Sequence, residues 1–301
     1  MKAFWIPLMT VALAAMTPAQ APGPDVFLAP ILPAGSATAI GPWTNISNNA
    51  GYDNQPSFQP DSRALLFSSN RDGKQTDVYR YEIGTKLLAQ VTRTAESEYS
   101  PTITPDGRTF SVIQVEADNT QRLWRFDPDG SRPRVVLENV KPVGYHAWID
   151  DTRLALFVLG ASGSPSTLQL ANTTTGAAAV VATGIGRSIL LRPGRGTISF
   201  IPAAAPRMLQ EFDPRTGAVG PLIAPLDGSQ DAAWMPDDRL LMGRGTALSV
   251  WSPGTEGWTL FADLASPAFA SGAAPPVASV TRLAVSPDGR WLAFVAEPRA
   301  P

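Results

Sequence analysis

A short phrase recurs along this chain: Pro-Asp-x-Arg followed by a run of β-forming residues. It stands at Pro60-Asp61-Ser62-Arg63 before Ala64 to Phe67, at Pro105-Asp106-Gly107-Arg108 before Thr109 to Ile113, and at Pro287-Asp288-Gly289-Arg290 before Trp291 to Val295. Three weaker copies fall between them: Trp148-Ile149-Asp150-Asp151-Thr152-Arg153, Pro193-Gly194-Arg195-Gly196 and Pro236-Asp237-Asp238-Arg239. Their anchors at 60, 105, 150, 193, 236 and 287 lie 45, 45, 43, 43 and 51 residues apart. A period of about 40–50 residues, with several short strands in each unit, is the spacing of propeller blades.

Each unit repeats one order of elements. An apolar strand precedes the anchor, and the anchor makes a tight hairpin. Proline presets φ, aspartate bonds the turn backbone and glycine accepts φ > 0. A more apolar strand follows, then a third with alternating aromatics, as in Val78-Tyr79-Arg80-Tyr81 or Leu123-Trp124-Arg125-Phe126. A turn such as Asp127-Pro128-Asp129-Gly130 leads to a fourth, as in Lys86 to Thr92. The last unit ends after its second strand. The first residues supply what it lacks: Asp25-Val26-Phe27 repeats Asp77-Val78-Tyr79, and Trp43 to Ser47 fills the fourth-strand place. The expected fold is therefore all-β: a six-bladed β-propeller of four-stranded antiparallel blades, closed by N-terminal strands that complete the C-terminal blade. Closure of this kind removes exposed sheet edges. The long spacing before the last anchor marks an insert, Ala265 to Ser279, whose Ala/Pro/Ser composition reads as a flexible, solvated inter-blade loop.

Composition narrows the function classes. The 301 residues are 44% hydrophobic and 17% charged, with a formal net charge of −2. That balance gives no electrostatic footprint for nucleic acid and no basic patch for anionic membranes. There are no cysteines and one histidine, His146, which rules out thiol chemistry and a histidine-cluster metal site. Lys2, the apolar run Ala3 to Met16 and Ala19-Gln20-Ala21 read as a signal peptide over residues 1–21, leaving one propeller domain over 22–301. The run is shorter than the ~20 apolar residues a membrane helix needs, and no later segment could span a bilayer. The expected location is periplasmic or secreted.

The stretch Gln55-Pro56-Ser57-Phe58-Gln59-Pro60-Asp61-Ser62-Arg63, then Ala64 to Phe67, then Ser68-Ser69-Asn70-Arg71-Asp72-Gly73 and Asp77-Val78-Tyr79 resembles the repeat of the TolB-like propellers. The likeness runs from about Asp25 to Glu297, sharp in units one, two and six and weaker in three to five. It implies an exported six-bladed propeller. With only Pro22-Gly23-Pro24 between the cleavage site and the first closing strand, the chain reads as a propeller without the α/β domain that precedes it in TolB.

No catalytic signature emerges. The nucleophile-elbow pattern Gly-x-Ser-x-Gly is missing, and Gly160-Ala161-Ser162-Gly163-Ser164 does not satisfy it. There is no phosphate loop, zinc pattern or calcium loop, so no cofactor is expected. The acid pairs Asp150-Asp151 and Asp237-Asp238 fall in the repeat turn, where aspartate caps backbone. Propellers bind at a mouth of the central channel. The repeat alignment sets Asn54-Gln55, Tyr99-Ser100, Tyr145-His146, Arg187-Ser188, Gln230-Asp231 and Thr281-Arg282 just before the innermost strands. From these the candidate binding residues are Asn54, Gln55, Tyr99, Tyr145, His146, Arg187, Gln230, Asp231 and Arg282. Polar and aromatic groups suit hydrogen bonding and stacking, and the two arginines suit an anion. Asp53, Glu98 and Asp231 offer themselves to a cation. The preferred reading is a non-catalytic binding scaffold for an envelope protein, a peptide or a small ligand. The alternative is a periplasmic propeller enzyme, a metal-dependent lactonase-like hydrolase or a lyase, which needs several acids or histidines around one ion.

Overall fold

The computed structural model describes residues 23–298 except 37–38, 72, 206 and 270–275. The proposed signal peptide, 1–21, lies outside the described residues. Among the described residues, six four-stranded antiparallel sheets form, with no α-helix. Their innermost strands are Asp53–Phe58, Ser97–Ile103, Val143–Trp148, Ile185–Arg192, Ala232–Trp234 and Val277–Val285, which define blades one to six. Each packs beside the next, and that of blade six packs beside that of blade one, closing a ring.

Closure follows the sequence reading. Blade six takes Val277–Val285 and Trp291–Pro298 from the C-terminal part, then Asp25–Pro30 and Thr44–Asn45 from the N-terminal part. Asp25–Pro30 pairs along its whole length with Trp291–Pro298, in a register that sets Phe27 opposite Phe294. Those rings stack at 5.3 Å, and Trp43 meets Phe294 edge-on at 6.0 Å. Burying three large aromatics across the joint gives it a hydrophobic clasp of several kcal/mol in addition to its ladder.

The repeated turn works as its residues require. The carboxylates of Asp61, Asp106 and Asp288 each accept the backbone N–H two residues on, at 3.0 Å. The x position of the phrase takes positive φ at Ser62 (59°), Gly107 (68°), Asp238 (70°) and Gly289 (71°). Where it is not glycine, its side chain is used between blades. Ser62 Oγ accepts the Asp288 N–H at 3.1 Å, and Asp238 pairs with Arg192 of blade four.

The insert before the last anchor departs from expectation. Pro267–Phe269 is a turn of 3-10 helix, and Phe269 is buried against Trp43 with ring centroids 4.9 Å apart. Residues 277–279 already belong to the inner strand of blade six. One phenylalanine anchors a segment whose composition reads as solvated; residues 270–275 lie outside the described residues.

Candidate functional site: the channel mouth

All six inner strands run the same way along the axis, from one face of the ring to the anchor turns at the other. They line a central cavity of about 490 Å³. Its anchor-turn end is apolar, with Pro105, Pro193, Pro287, Leu191 and Val285; its other end holds Gln55, Tyr145, Arg187, Asp231 and Arg282.

The candidate residues do not precede the inner strands, as the alignment implied. Apart from Gln230 and Asp231 they lie within them. The reason is a bulge. Pairing with the second strand slips between Asn54 and Ser57, Tyr99 and Thr102, Val143 and Tyr145, Ile185 and Ile189, and Val280 and Leu283. Gln55 (φ 59°) and Ser100 (φ 53°) take the left-handed conformation at two of these slips. A bulge leaves a residue unpaired and re-aims its side chain, which suits the wall of a binding channel.

Arg187, Asp231 and Arg282 come together across blades four to six. Arg187 Nη2 donates to Asp231 Oδ2 at 2.5 Å, and Arg282 Nη1 lies 3.0 Å from Oδ1. Asp231 is buried, while the Arg187 side chain stays 37% exposed. Burial works against the Arg187 charge, but Asp231 outweighs it and holds the guanidinium above its ordinary range. Arg282 also donates to the Tyr145 hydroxyl at 2.7 Å, with its guanidinium carbon 4.9 Å from that ring's centroid. Two cations share one anion, so the mouth keeps a surplus positive charge beside an aromatic face.

Tyr52 joins them, and the alignment missed it. It meets Tyr99 edge-on at 6.1 Å. Burial pushes its hydroxyl above the usual phenol range, and Arg282 pulls the other way. An aromatic two residues ahead of Asn54 was the available signal. Tyr99 itself bonds with Thr76 Oγ1 at 3.3 Å. Gln55 Oε1 accepts the Ser100 N–H at 2.8 Å and so bridges blades one and two.

Other candidates stand apart. Gln230 is exposed and Asn54 Oδ1 accepts its neighbour's N–H; neither lines the channel. His146 is a buried wall residue, with Nε2 2.7 Å from Ser111 Oγ. Burial drives its pKa down to about 3, so the imidazole is neutral at physiological pH. Ser111 Oγ also accepts Trp148 Nε1–H at 2.8 Å, as Ser199 Oγ accepts Trp234 Nε1–H at 2.8 Å two blades on.

The acids offered to a cation are already engaged. Asp231 holds the arginines. Glu98 is buried and accepts from Thr92 Oγ1 at 2.8 Å and from Thr94 Oγ1. Asp53 is buried beside Asn49, whose Nδ2 donates to it at 3.3 Å. Among the described residues no group of three or more His, Asp or Glu side chains is placed to hold one ion.

No family model and no curated protein sequence matches this chain. Solved structures do. A protein described as TolB from Agrobacterium tumefaciens superposes with a TM-score of 0.69 at 14% identity, over 92% of this chain and 99% of that one. TolB from Acinetobacter baumannii gives 0.59 at 12% identity, over 90% of this chain and 63% of that one. Oligogalacturonate lyase from Vibrio parahaemolyticus gives 0.53 at 13% identity, over 93% and 99%. At such identities the likeness is one of fold. The chain has the fold of the TolB-like six-bladed propellers.

Proposed function

We propose that this chain is an exported, non-catalytic binding propeller whose channel mouth holds a ligand by a carboxylate or similar anion. The observation that carries this reading is the convergence of Arg187 and Arg282 on Asp231 beside Tyr145, at the polar end of the cavity. Asp231 orients both forks and neutralises one charge, leaving donors for an incoming anion; the tyrosines offer an apolar, hydrogen-bonding surface next to it. The apolar end of the channel suits a chain or ring carried behind that anion. Export rests on the leader-like residues 1–21, and mass spectrometry of the mature protein is expected to find Pro22 first. No helix among the described residues is long and apolar enough to cross a membrane.

Thermal-shift titration tests the site with three probes: a tetrapeptide with a free C-terminal carboxylate, the same peptide amidated, and digalacturonate. At least one carboxylate probe should stabilise the protein saturably. The amidated peptide should not, and Arg187→Ala/Arg282→Ala should respond to none. Silence from both carboxylates, or an equal response from the folded double variant, would remove the anion site.

A further inference from the structure

We propose that the ligand of the channel is a monocarboxylate on an unbranched, uncharged apolar tail, with the carboxylate at the mouth and the tail lying along the axis. This rests on the anion site proposed above and names what stands behind the anion. The charges of the cavity are gathered at one end. Among the described residues, Arg187, Asp231 and Arg282 are the charged side chains that line it, and all three stand at the mouth. His146 lines the same wall but adds no charge, because burial lowers its pKa to about 3.

Beyond the mouth the wall is aliphatic. Blade two brings Ile103, blade four Leu190 and Leu191, and blade six Ala284 and Val285, each only partly buried. From Arg282 to Val285 the inner strand of blade six advances about 10 Å, at ~3.3 Å per residue. An extended chain of about eight carbons, with bonds of about 1.5 Å, covers that depth. A second charge on the tail would leave water among these groups and find no counter-ion there, a cost that no contact offsets.

An extended peptide suits the channel less well. It would bind a strand edge through a run of main-chain hydrogen bonds. Past the register slips, the inner strands keep regular pairing for only two to four residues, and that of blade five is three residues long. The slips break the alternation of the free edge too, so no inner strand offers a long straight ladder. A tail needs no ladder, only apolar surface.

Isothermal calorimetry at low salt tests the tail, with butanoate, hexanoate and octanoate as probes and octanedioate and octylamine as controls. Each methylene laid on the wall should tighten binding about threefold to fourfold. Octanoate should bind the wild type with a negative heat-capacity change, at least about tenfold tighter than butanoate, octanedioate or octylamine. Arg187→Ala/Arg282→Ala should weaken it at least about tenfold, and so should Val285→Asp, which sets a charge against the tail. Melting curves accompany the variants; should Val285→Asp unfold, the wild-type series decides alone. Octanoate bound no tighter than butanoate, octanedioate or octylamine, or bound unchanged by either folded variant, would overturn the tail. If the tetrapeptide or digalacturonate binds while octanoate gains nothing from its length, the tail falls and the anion site stands. Silence from every carboxylate removes both.

Discussion

Two seams of the ring do the same job with opposite chemistry. Between blades one and two, a buried acid is clasped by hydroxyls: Thr92 Oγ1 accepts the Val78 N–H at 2.8 Å and donates to Glu98 at 2.8 Å, while Gln90 donates to Asp77 at 3.1 Å. The closing seam repeats part of this with Ser47, Asn45 and Asp25: Val26 N–H to Ser47 Oγ at 2.9 Å, Ser47 to Asp25 at 2.7 Å and Asn45 to Asp25 at 2.8 Å. Between blades four and five no such clasp forms among the described residues. There Arg192, its side chain only 3% exposed, forks onto Glu211 at 3.0 and 3.1 Å and onto Asp238 at 2.5 and 2.8 Å, and lies over Trp234 at 4.5 Å. At the seam of blades one and two, where the repeat phrase is kept, hydroxyls and a buried acid join the blades; at the seam of blades four and five, where it has decayed, ion pairs do. Although Arg282 comes from blade six, whose phrase is kept, the charged mouth draws mainly on the decayed blades, since Tyr145, Arg187 and Asp231 come from blades three to five. Loss of the repeat there coincides with new charged partnerships.

The sharpest contrast between the seams is in pH. Burial pushes the Glu98 carboxyl from its ordinary 4.5 up to about 7. Its raised pKa means the folded state binds the proton more tightly. The associated stability is complete below about pH 4.5 and is lost as pH rises through about 7, roughly 3 kcal/mol across that window. His146, held neutral in the fold, acts in the opposite sense over much of the same window, so the carboxyl is read from the difference between two proteins: in urea unfolding, the stability of wild type relative to Glu98→Gln should fall between pH 4.5 and 7. A difference between the two proteins that stays flat or rises over the window would break the contrast.

Arg192→Ala comes next, at about 2–3 kcal/mol, below the full cost of an orphaned buried ion because Glu211 and Asp238 keep water access. Arg192→Lys should not restore it, because an ammonium cannot fork onto two carboxylates. Asp238→Gly separates two effects at one residue: it relieves the positive φ of 70° but removes the bridge to Arg192, for a net loss of about 1 kcal/mol. Ser62→Gly makes the same exchange for one neutral hydrogen bond and should stay within about 0.5 kcal/mol. Melting temperatures of these variants give the order directly, and Asp238→Gly more stable than wild type would show that Arg192 relies on Glu211 alone.

The blade count and closure were legible because they rest on local repetition: turn residues with fixed φ, alternating strands, and the echo of Asp77-Val78-Tyr79 in Asp25-Val26-Phe27. The mouth was legible only in outline. Alternation says nothing of a bulge, so the candidates were set ahead of strands that in fact contain them. Asp231 and its partners Arg187 and Arg282 come from three blades, and Arg282 meets Tyr145 across 137 residues of chain, a distance over which no local pattern carries information. Tyr52 escaped because the alignment window opened two residues too late, and Phe269 because its neighbours are small and prolyl.

The most direct test is capture from envelope extract on immobilised wild-type protein, with folded Arg187→Ala/Arg282→Ala in parallel. A mouth that binds through its two arginines predicts a partner or ligand retained by the wild type at low salt and lost by the double variant. The same partners, in the same amount, on both proteins would contradict it.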